Sequence, residues 1–214
     1  MKKLLISLAV ILFSVTAYTQ TRLYVNPDFS QKTKNHKVIA VLPFQITLKL
    51  RPNQLRNTTP KQLKNMEYDQ GKGIQSAMFS WFLAREKKGH LRVQVQDPMT
   101  TNAILGKKGI TIKNITDYTP KELANFLGVD AVVMGTIKTN KPISTGVSVA
   151  LGVLTGFYGI TNKAVMNLFI YNGKDGDVLV NYHKAVAGSL GSTGESMVNV
   201  LMRKASRRIP YFKR

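Results

Sequence analysis

Apolar and polar positions near the middle of the chain predict a short helix followed directly by a buried strand. Thr119 is placed to cap the helix, and Glu122, three residues later, completes a capping box. Gly128 offers the left-handed conformation that ends a helix. The following apolar run, Val129–Ile137, is typical of a strand covered on both faces. The pattern therefore predicts an α/β fold, a single domain with a central mixed sheet flanked by helices.

The same periodicities predict the other elements. Ile74, Met78 and Phe82 fall at helical spacing and indicate a packing surface rather than a ligand site. Residues 51–64 are interpreted as a loop, in which Thr59-Pro60 could begin one helical turn. Residues 99–118 are interpreted as a mixed region with a turn at 106–109. The predicted elements are a strand at 38–44, a helix at 68–88, a strand at 91–96, a hairpin of 164–171 with 178–186, and a C-terminal helix from Ser192 or Thr193 that turns Met197, Val198, Leu201, Met202, Ala205 and Ile209 inward.

The N-terminus has the pattern of a secretory signal peptide. Two lysines precede an apolar run, Leu4–Val15, and small or polar residues follow it up to residue 20. The run is short for a membrane span, so cleavage near Ala17 or Thr19 is favoured over an uncleaved helix. We therefore expect a signal peptide at 1–20, an extended N-terminal arm at 21–37 and one domain at 38–214.

Composition narrows the chemistry. The chain contains no cysteine, which excludes disulfides, zinc-thiolate sites and a cysteine nucleophile. It also excludes a lipid anchor on a cysteine after the signal peptide, so we expect an exported protein of the periplasm or outer membrane that is not a lipoprotein.

The net charge is +20, and the first 20 residues hold two lysines and no acidic residue, which leaves +18 for the mature chain. Such a charge predicts attraction to anionic membrane surfaces or glycans. Export argues against nucleic acid as a partner. The possible anion-binding residues are Arg203, Lys204, Arg207 and Arg208. The other interpretation is that they complement the helix dipole on a solvated surface.

Residues 141–163 form an apolar, glycine-rich insert. No charged residue occurs between Ser144 and Thr161. Two interpretations stay open: a membrane or subunit contact, or internal packing on the sheet. The contact candidates are Val147, Val149, Leu151, Val153, Leu154, Phe157 and Tyr158.

Catalytic and metal-binding patterns are weak. His36, His90 and His183 have no second ligand at metal spacing, so surface histidines are favoured. The closest acidic pairs, Glu67 with Asp69 and Asp175 with Asp177, suit a helix start and a turn. The glycines that flank Lys72 suggest a flexible helix start more than a phosphate loop. We predict no catalytic residues, cofactor or metal; an unrecognised hydrolase is the less favoured alternative.

Two stretches together resemble a known family. Val38–Phe44, which reads VIAVLPF, and Leu127–Ile137, which reads LGVDAVVMGTI, are similar to the curli-secretion (CsgG) family. Its relatives include the outer-membrane lipoprotein activators of peptidoglycan synthases and the TolB N-terminal domain. The strand Val165–Tyr171, the turn Lys174–Leu179 and the closing helix extend the resemblance over about residues 36–210.

The resemblance implies an envelope-facing α/β domain that acts by binding or assembly, without a catalytic centre. It also implies that the insert occupies the place of a membrane-inserting hairpin. We therefore expect a non-catalytic envelope protein that binds or scaffolds envelope proteins or copies of itself. The alternative is a basic binding module for an anionic envelope polymer or lipid.

Overall fold

The computed structural model describes residues 21–50, 52–140, 162–188, 200–205 and 207–211. Its strands form one mixed sheet with helices on both faces, so the predicted fold class is confirmed. The strands are β1 Thr21–Val25, β2 Val38–Val41, β3 Gln45–Leu48, β4 Gln94–Gln96, β5 Ala131–Thr139, β6 Asn162–Asn172 and β7 Val178–Gly188. The helices are α1 Phe29–Lys32, α2 Pro52–Leu55, α3 Pro60–Glu86, α4 Pro98–Lys107, α5 Pro120–Leu127 and α6 at 200–205, with a 3₁₀ turn at Ile115–Asp117.

The strand order across the sheet is β1-β7-β6-β5-β2-β4, and β3 also pairs with β5. Strands β2 and β3 run parallel to β5, and β4 runs parallel to β2. Strands β6, β7 and β1 continue the sheet as antiparallel neighbours. Helices α3 and α6 bury their apolar residues against one face, while α4 and α5 cover the other. The central strands are therefore shielded on both sides, as their apolar runs require.

The helix-to-strand junction has the predicted local structure. The Thr119 amide donates to Glu122 Oε2 at 2.8 Å, and the Glu122 amide donates to Thr119 Oγ1 at 3.2 Å. The hydrogen bonds from Thr119 lower the pKa of Glu122. Gly128 ends the helix with φ 66°, in the left-handed region. Leu123 and Leu127 are buried, and Phe126 is partly buried against them, so the helix packs through one apolar face.

A bulge joins β2 and β3 along the same side of β5. Val41 pairs with Val133 and Gln45 with Thr136, so three residues of one strand lie opposite two of the other. The Phe44 ring fills the space above Gly135, where an added Cβ would lie 2.1 Å from the ring. The predicted strand at 38–44 therefore ends three residues early as a regular strand, because the chain bulges at 42–44 before β3 begins.

Three helices differ from the sequence-based interpretation, and the first is α2, Pro52–Leu55, which lies in the region 51–64 that was interpreted as a loop. Helix α3 begins at Pro60 rather than near residue 68, with Thr59 and Gln62 forming a capping box. Its first turns are mostly polar and give no apolar stripe, which explains the wrong start. The glycines around Lys72 consequently lie inside a helix, where the amides are occupied, and Glu67 and Asp69 do not lie at a helix start. Helix α4 falls within the region expected to be mixed; Asp97 caps it through the amides of Met99 and Thr100.

Some expectations fall at the edge of the described residues or beyond it. Residues 21–37, expected to be an extended arm, contribute β1 and α1, because β1 finds backbone partners on β7. The predicted signal peptide and most of the insert lie outside the described residues. In the C-terminal helix Leu201, Met202 and Ala205 are buried as predicted, as is Ile209 beyond it.

Two glycines of α3 provide a matched test of how closely this helix packs on the bulge at Phe44. A Cβ on Gly71 would lie 2.2 Å from the Phe44 carbonyl oxygen, whereas a Cβ on Gly73 would meet nothing within 4 Å. We expect Gly71→Ala to lower the free energy of unfolding by about 1–3 kcal/mol through overpacking. Gly73→Ala should raise it by up to about 1 kcal/mol through helix propensity. Urea denaturation followed by circular dichroism measures both; equal effects of the two substitutions would contradict the packing of Phe44 on α3.

Candidate functional site

A wide cleft opens on the face of the sheet that α3 and α6 cover. Its volume is about 990 Å³. Leu23 and Val25 of β1 line one part, Phe29 of α1 lines another, and segments 90–93 and 207–211 line the rest. The cleft is therefore built from segments far apart in sequence, which the folded sheet brings together.

The charged side chains around the cleft share one sign. None of the described lining residues is acidic, while five carry a permanent positive charge and two are histidines. Arg85 lies in the last turn of α3 and is half-buried, whereas the other four permanent cations are exposed. The basic residues of the cleft are Lys34, His36, Arg85, His90, Arg92, Arg207 and Arg208.

Tyr211 anchors the C-terminal wall of the cleft. It is only 2% exposed, and its ring meets Phe29 edge-on with centroids 5.1 Å apart. Its hydroxyl lies 2.6 Å from Nδ1 of His36, and its carbonyl accepts from the Arg92 amide at 3.0 Å. Burial raises the pKa of Tyr211, and the nearby Asp130 carboxylate adds to this, so the hydroxyl stays protonated. These contacts place Arg207 and Arg208 beside Arg92.

The predicted anion-binding residues divide into two pairs. Arg207 and Arg208 line the cleft, whereas Arg203 and Lys204 are not among its lining residues. Lys204 still acts at a distance: burial lowers the pKa of Lys184 on β7, and the charges of Lys204 and Arg208 lower it further. The apolar insert candidates, Val147 to Tyr158, lie outside the described residues.

Sequence reasoning missed the contributions of Lys34, Arg85 and Arg92 to this cleft. Each belonged to a separate predicted element: Lys34 to the N-terminal arm, Arg85 to the helix at 68–88 and Arg92 to the strand at 91–96. Their proximity depends on the topology, which places β4 next to β2 and turns the C-terminal segment across the face. No single window of the sequence contains that signal.

Several of the described acidic residues make structural contacts outside the lining of the cleft. Asp175 and Asp177 both accept from Lys32 Nζ, at 2.8 and 2.7 Å. Slight burial of the Asp175 carboxyl tends to raise its pKa. The hydrogen bond from Lys32 outweighs this effect and keeps the pKa below its ordinary value. Glu67 Oε1 accepts from the Leu48 amide at 2.9 Å. Among the described residues, no group of three or more histidines and acids is placed to hold a metal ion.

No helix within the described ranges combines the length and the apolar character needed to cross a membrane.

The three histidines make different contacts. His183 Nδ1 lies 2.6 Å from Asn167 Oδ1, and the two side chains form a hydrogen-bonded pair across β6 and β7. His36 pairs with Tyr211, and His90 is exposed at the cleft rim.

No family model and no curated protein matches the chain. Among solved structures, it is similar to the PelC dodecamer from Paraburkholderia phytofirmans, with 14% identity over 92% of this chain and 99% of that chain, at a TM-score of 0.49. It is also similar to lipoprotein GNA1162 from Neisseria meningitidis (14% identity, 81% and 98% covered, TM-score 0.45). A third is the LpoB C-terminal domain from Salmonella enterica (11% identity, 75% and 93% covered, TM-score 0.31). All three scores lie below 0.5, so these similarities carry no inference about function.

The protonation of His36 can be measured as a function of pH. Burial lowers its pKa from the ordinary 6.5, an effect that Asp130 partly offsets. Because the unfolded chain then binds the proton more tightly, we expect His36 to destabilise the fold as pH falls from about 7 to 5. NMR titration should place its midpoint below 6.5, and His36→Gln should flatten the pH dependence of the unfolding free energy in that range. A midpoint at or above 6.5 would contradict the half-buried contact with Tyr211.

Proposed function

We propose that this protein is an exported, non-catalytic domain of the cell envelope that uses its basic cleft to bind an anionic partner. The convergence of seven basic side chains on one cleft, with no acidic side chain among the described lining residues, is the observation that carries the proposal. If the positive charge served only solubility, cations scattered over the surface would do as well as cations gathered in one cleft. A cluster drawn from several separate segments instead concentrates positive potential where a ligand can enter.

Helix geometry explains how the cluster is tolerated. Arg85 lies in the last turn of α3, and Arg207 and Arg208 follow the helical residues 200–205. The negative ends of these helix dipoles offset part of the repulsion among the cations. This is the dipole interpretation considered for the C-terminal arginines, and it is compatible with binding. It does not explain Arg92, which lies between α3 and β4 and belongs to no helix end.

The placement of the acids favours a non-catalytic role. A paired-carboxylate hydrolase needs two acids that converge on a substrate-sized cleft. Here the closest pair, Asp175 and Asp177, is bound to Lys32. Asp97 and Glu122 are engaged by backbone amides at helix starts. Within the described residues, the cleft therefore offers cationic binding groups but no carboxylate pair.

Neutralising two cleft arginines tests the proposal. We expect Arg207→Gln with Arg208→Gln to weaken binding to polyphosphate at low salt by at least about tenfold, because each charge-assisted contact contributes about 1.5 kcal/mol or more. Lys107→Gln with Lys121→Gln removes the same charge from exposed positions on α4 and α5, which cover the other face. Fluorescence anisotropy with labelled polyphosphate measures both. Equal losses in the two double variants would show a general charge effect and contradict a cleft-specific site.

The apolar insert is proposed as a second contact, with a membrane or a neighbouring subunit. Thr139 pairs with Ala164 at the end of β5 and β6. The segment therefore leaves the sheet at the end opposite Asp130, away from the strand ends near His36. Its proposed contact residues are Val147, Val149, Leu151, Val153, Leu154, Phe157 and Tyr158.

Replacing residues 144–160 with a short glycine-serine linker tests that contact. We expect the variant to move from the membrane fraction to the soluble fraction, or to lose self-association, because the apolar segment is removed. Cell fractionation and sedimentation velocity measure the two effects. If both fractionation and oligomeric state are unchanged, the insert packs on its own domain instead.

A further inference from the structure

Within the described residues, the outer edge of β1 has no strand partner, and this edge lies beside the basic cleft. In the described part of the chain, β1 pairs with β7 and with no other strand. The Asn26 amide donates to the Leu179 carbonyl at 2.9 Å, in register with the pairing of Val25 with Val180. In an antiparallel ladder, hydrogen-bonded pairs alternate with non-hydrogen-bonded pairs. Because Asn26 is in a hydrogen-bonded pair, Val25 and Leu23 are in non-hydrogen-bonded pairs. The backbone N–H and C=O groups of Leu23 therefore point away from β7, as do those of Val25.

The same residues turn their side chains to the cleft. Leu23 and Val25 line it, and Leu23 is 41% exposed. A row of outward backbone donors and acceptors thus borders a surface lined by cations. The two features belong to one continuous surface rather than to separate sites.

The two edges of the sheet are protected differently. Strand β4, at the other edge, has only three residues and ends at Asp97-Pro98. Short strands and prolines are common devices that prevent edge pairing. Strand β1 has five residues, no proline or lysine, and a second exposed apolar side chain in Tyr24, at 48%. Its edge is therefore suited to accept another strand.

We propose, building on the proposed function, that the anionic ligand is an extended acidic segment of a partner protein that adds to β1 as a further antiparallel or parallel strand. Every second side chain of an added strand lies on the same face as Leu23 and Val25. Acidic residues at those positions face the arginines of the cleft. The backbone row supplies affinity, and the cleft selects an acidic sequence.

Charge and backbone together favour a protein segment over a glycan or a lipid headgroup. An anionic polysaccharide or phosphate group can pair with Arg92, Arg207 and Arg208, but it leaves the open edge of β1 unused. A peptide with alternating acidic residues uses both. Binding of a polyanion by the cations alone is accordingly the competing outcome of the test.

The test uses three labelled probes with the full mature chain. The first is a peptide of about eight residues that alternates glutamate and threonine. The second has the same sequence with N-methyl groups on alternate residues, which keeps its charge but removes backbone donors along one edge. The third is polyphosphate, which carries charge without a peptide backbone. We expect N-methylation to weaken peptide binding by about tenfold, the loss of one to two backbone hydrogen bonds.

A matched pair of substitutions tests the same contact from the protein side. Leu23→Pro removes an N–H that points away from β7, so the internal pairing of β1 is kept. Leu23→Val also changes the side chain but retains the amide and suits a strand. We expect Leu23→Pro to weaken binding of the alternating peptide by about tenfold and Leu23→Val by less than about threefold. Polyphosphate, which has no peptide backbone, should bind the two variants equally. Circular dichroism confirms that each variant is folded.

The outcomes separate this inference from the proposed function. If the two peptides bind equally, or if Leu23→Pro and Leu23→Val bind the peptide equally, strand addition is wrong while the anionic cleft stands. If polyphosphate binds and the peptide does not, the ligand is a backbone-free polyanion and strand addition is again wrong. If neither probe binds, the proposed function fails as well. If Leu23→Pro unfolds the chain, the test of strand addition rests on the other comparison, in which the unmodified and the N-methylated peptide bind the protein without substitutions.

Discussion

The hydrogen bonds of Asp130 tie together the three central strands at the end of the sheet where β2 and β5 begin. Its carboxylate accepts from the amides of Lys37 and Val38, at 2.6 and 2.9 Å. Its own amide donates to the Val38 carbonyl, and its carbonyl accepts from the Gly173 amide, both at 2.8 Å. One residue thus fixes the register of β2 against β5 and the position of the turn after β6. Charge-assisted bonds of this kind are among the stronger ones in a protein.

The position of the cleft follows from that register. Holding the amides of Lys37 and Val38 fixes the adjacent His36, whose ring contacts the hydroxyl of Tyr211. Tyr211 in turn holds the segment that carries Arg207 and Arg208 against Arg92. The candidate site is therefore coupled to the centre of the sheet through a short series of contacts. A sheet with a different register at β2 would not bring these arginines together.

The sequence predicted the elements whose signals are local. The capping box of Thr119, the stop at Gly128 and the apolar run of β5 lie within a few residues of one another, and all were confirmed. Helix α4 was missed because its stripe is weak: Met99 is 81% exposed and few of its residues are buried. Strand β3 was missed because it is a four-residue continuation of β2 after a bulge. The full cleft could not be predicted, since its cations come from separate segments that only the topology unites.

Among the described residues, none of those that line the cleft is acidic. The chain has 11 acidic residues against 31 lysines and arginines. Several of those acids satisfy backbone amides at helix starts and strand ends, as Asp97, Glu122 and Asp130 do. An acid used in this way stabilises local structure, and Asp130 in addition acts electrostatically on His36 and Tyr211 of the cleft. A partner that supplies acidic groups at the cleft would meet the exposed cations Lys34, Arg92, Arg207 and Arg208, and the attraction between these opposite charges would favour its binding.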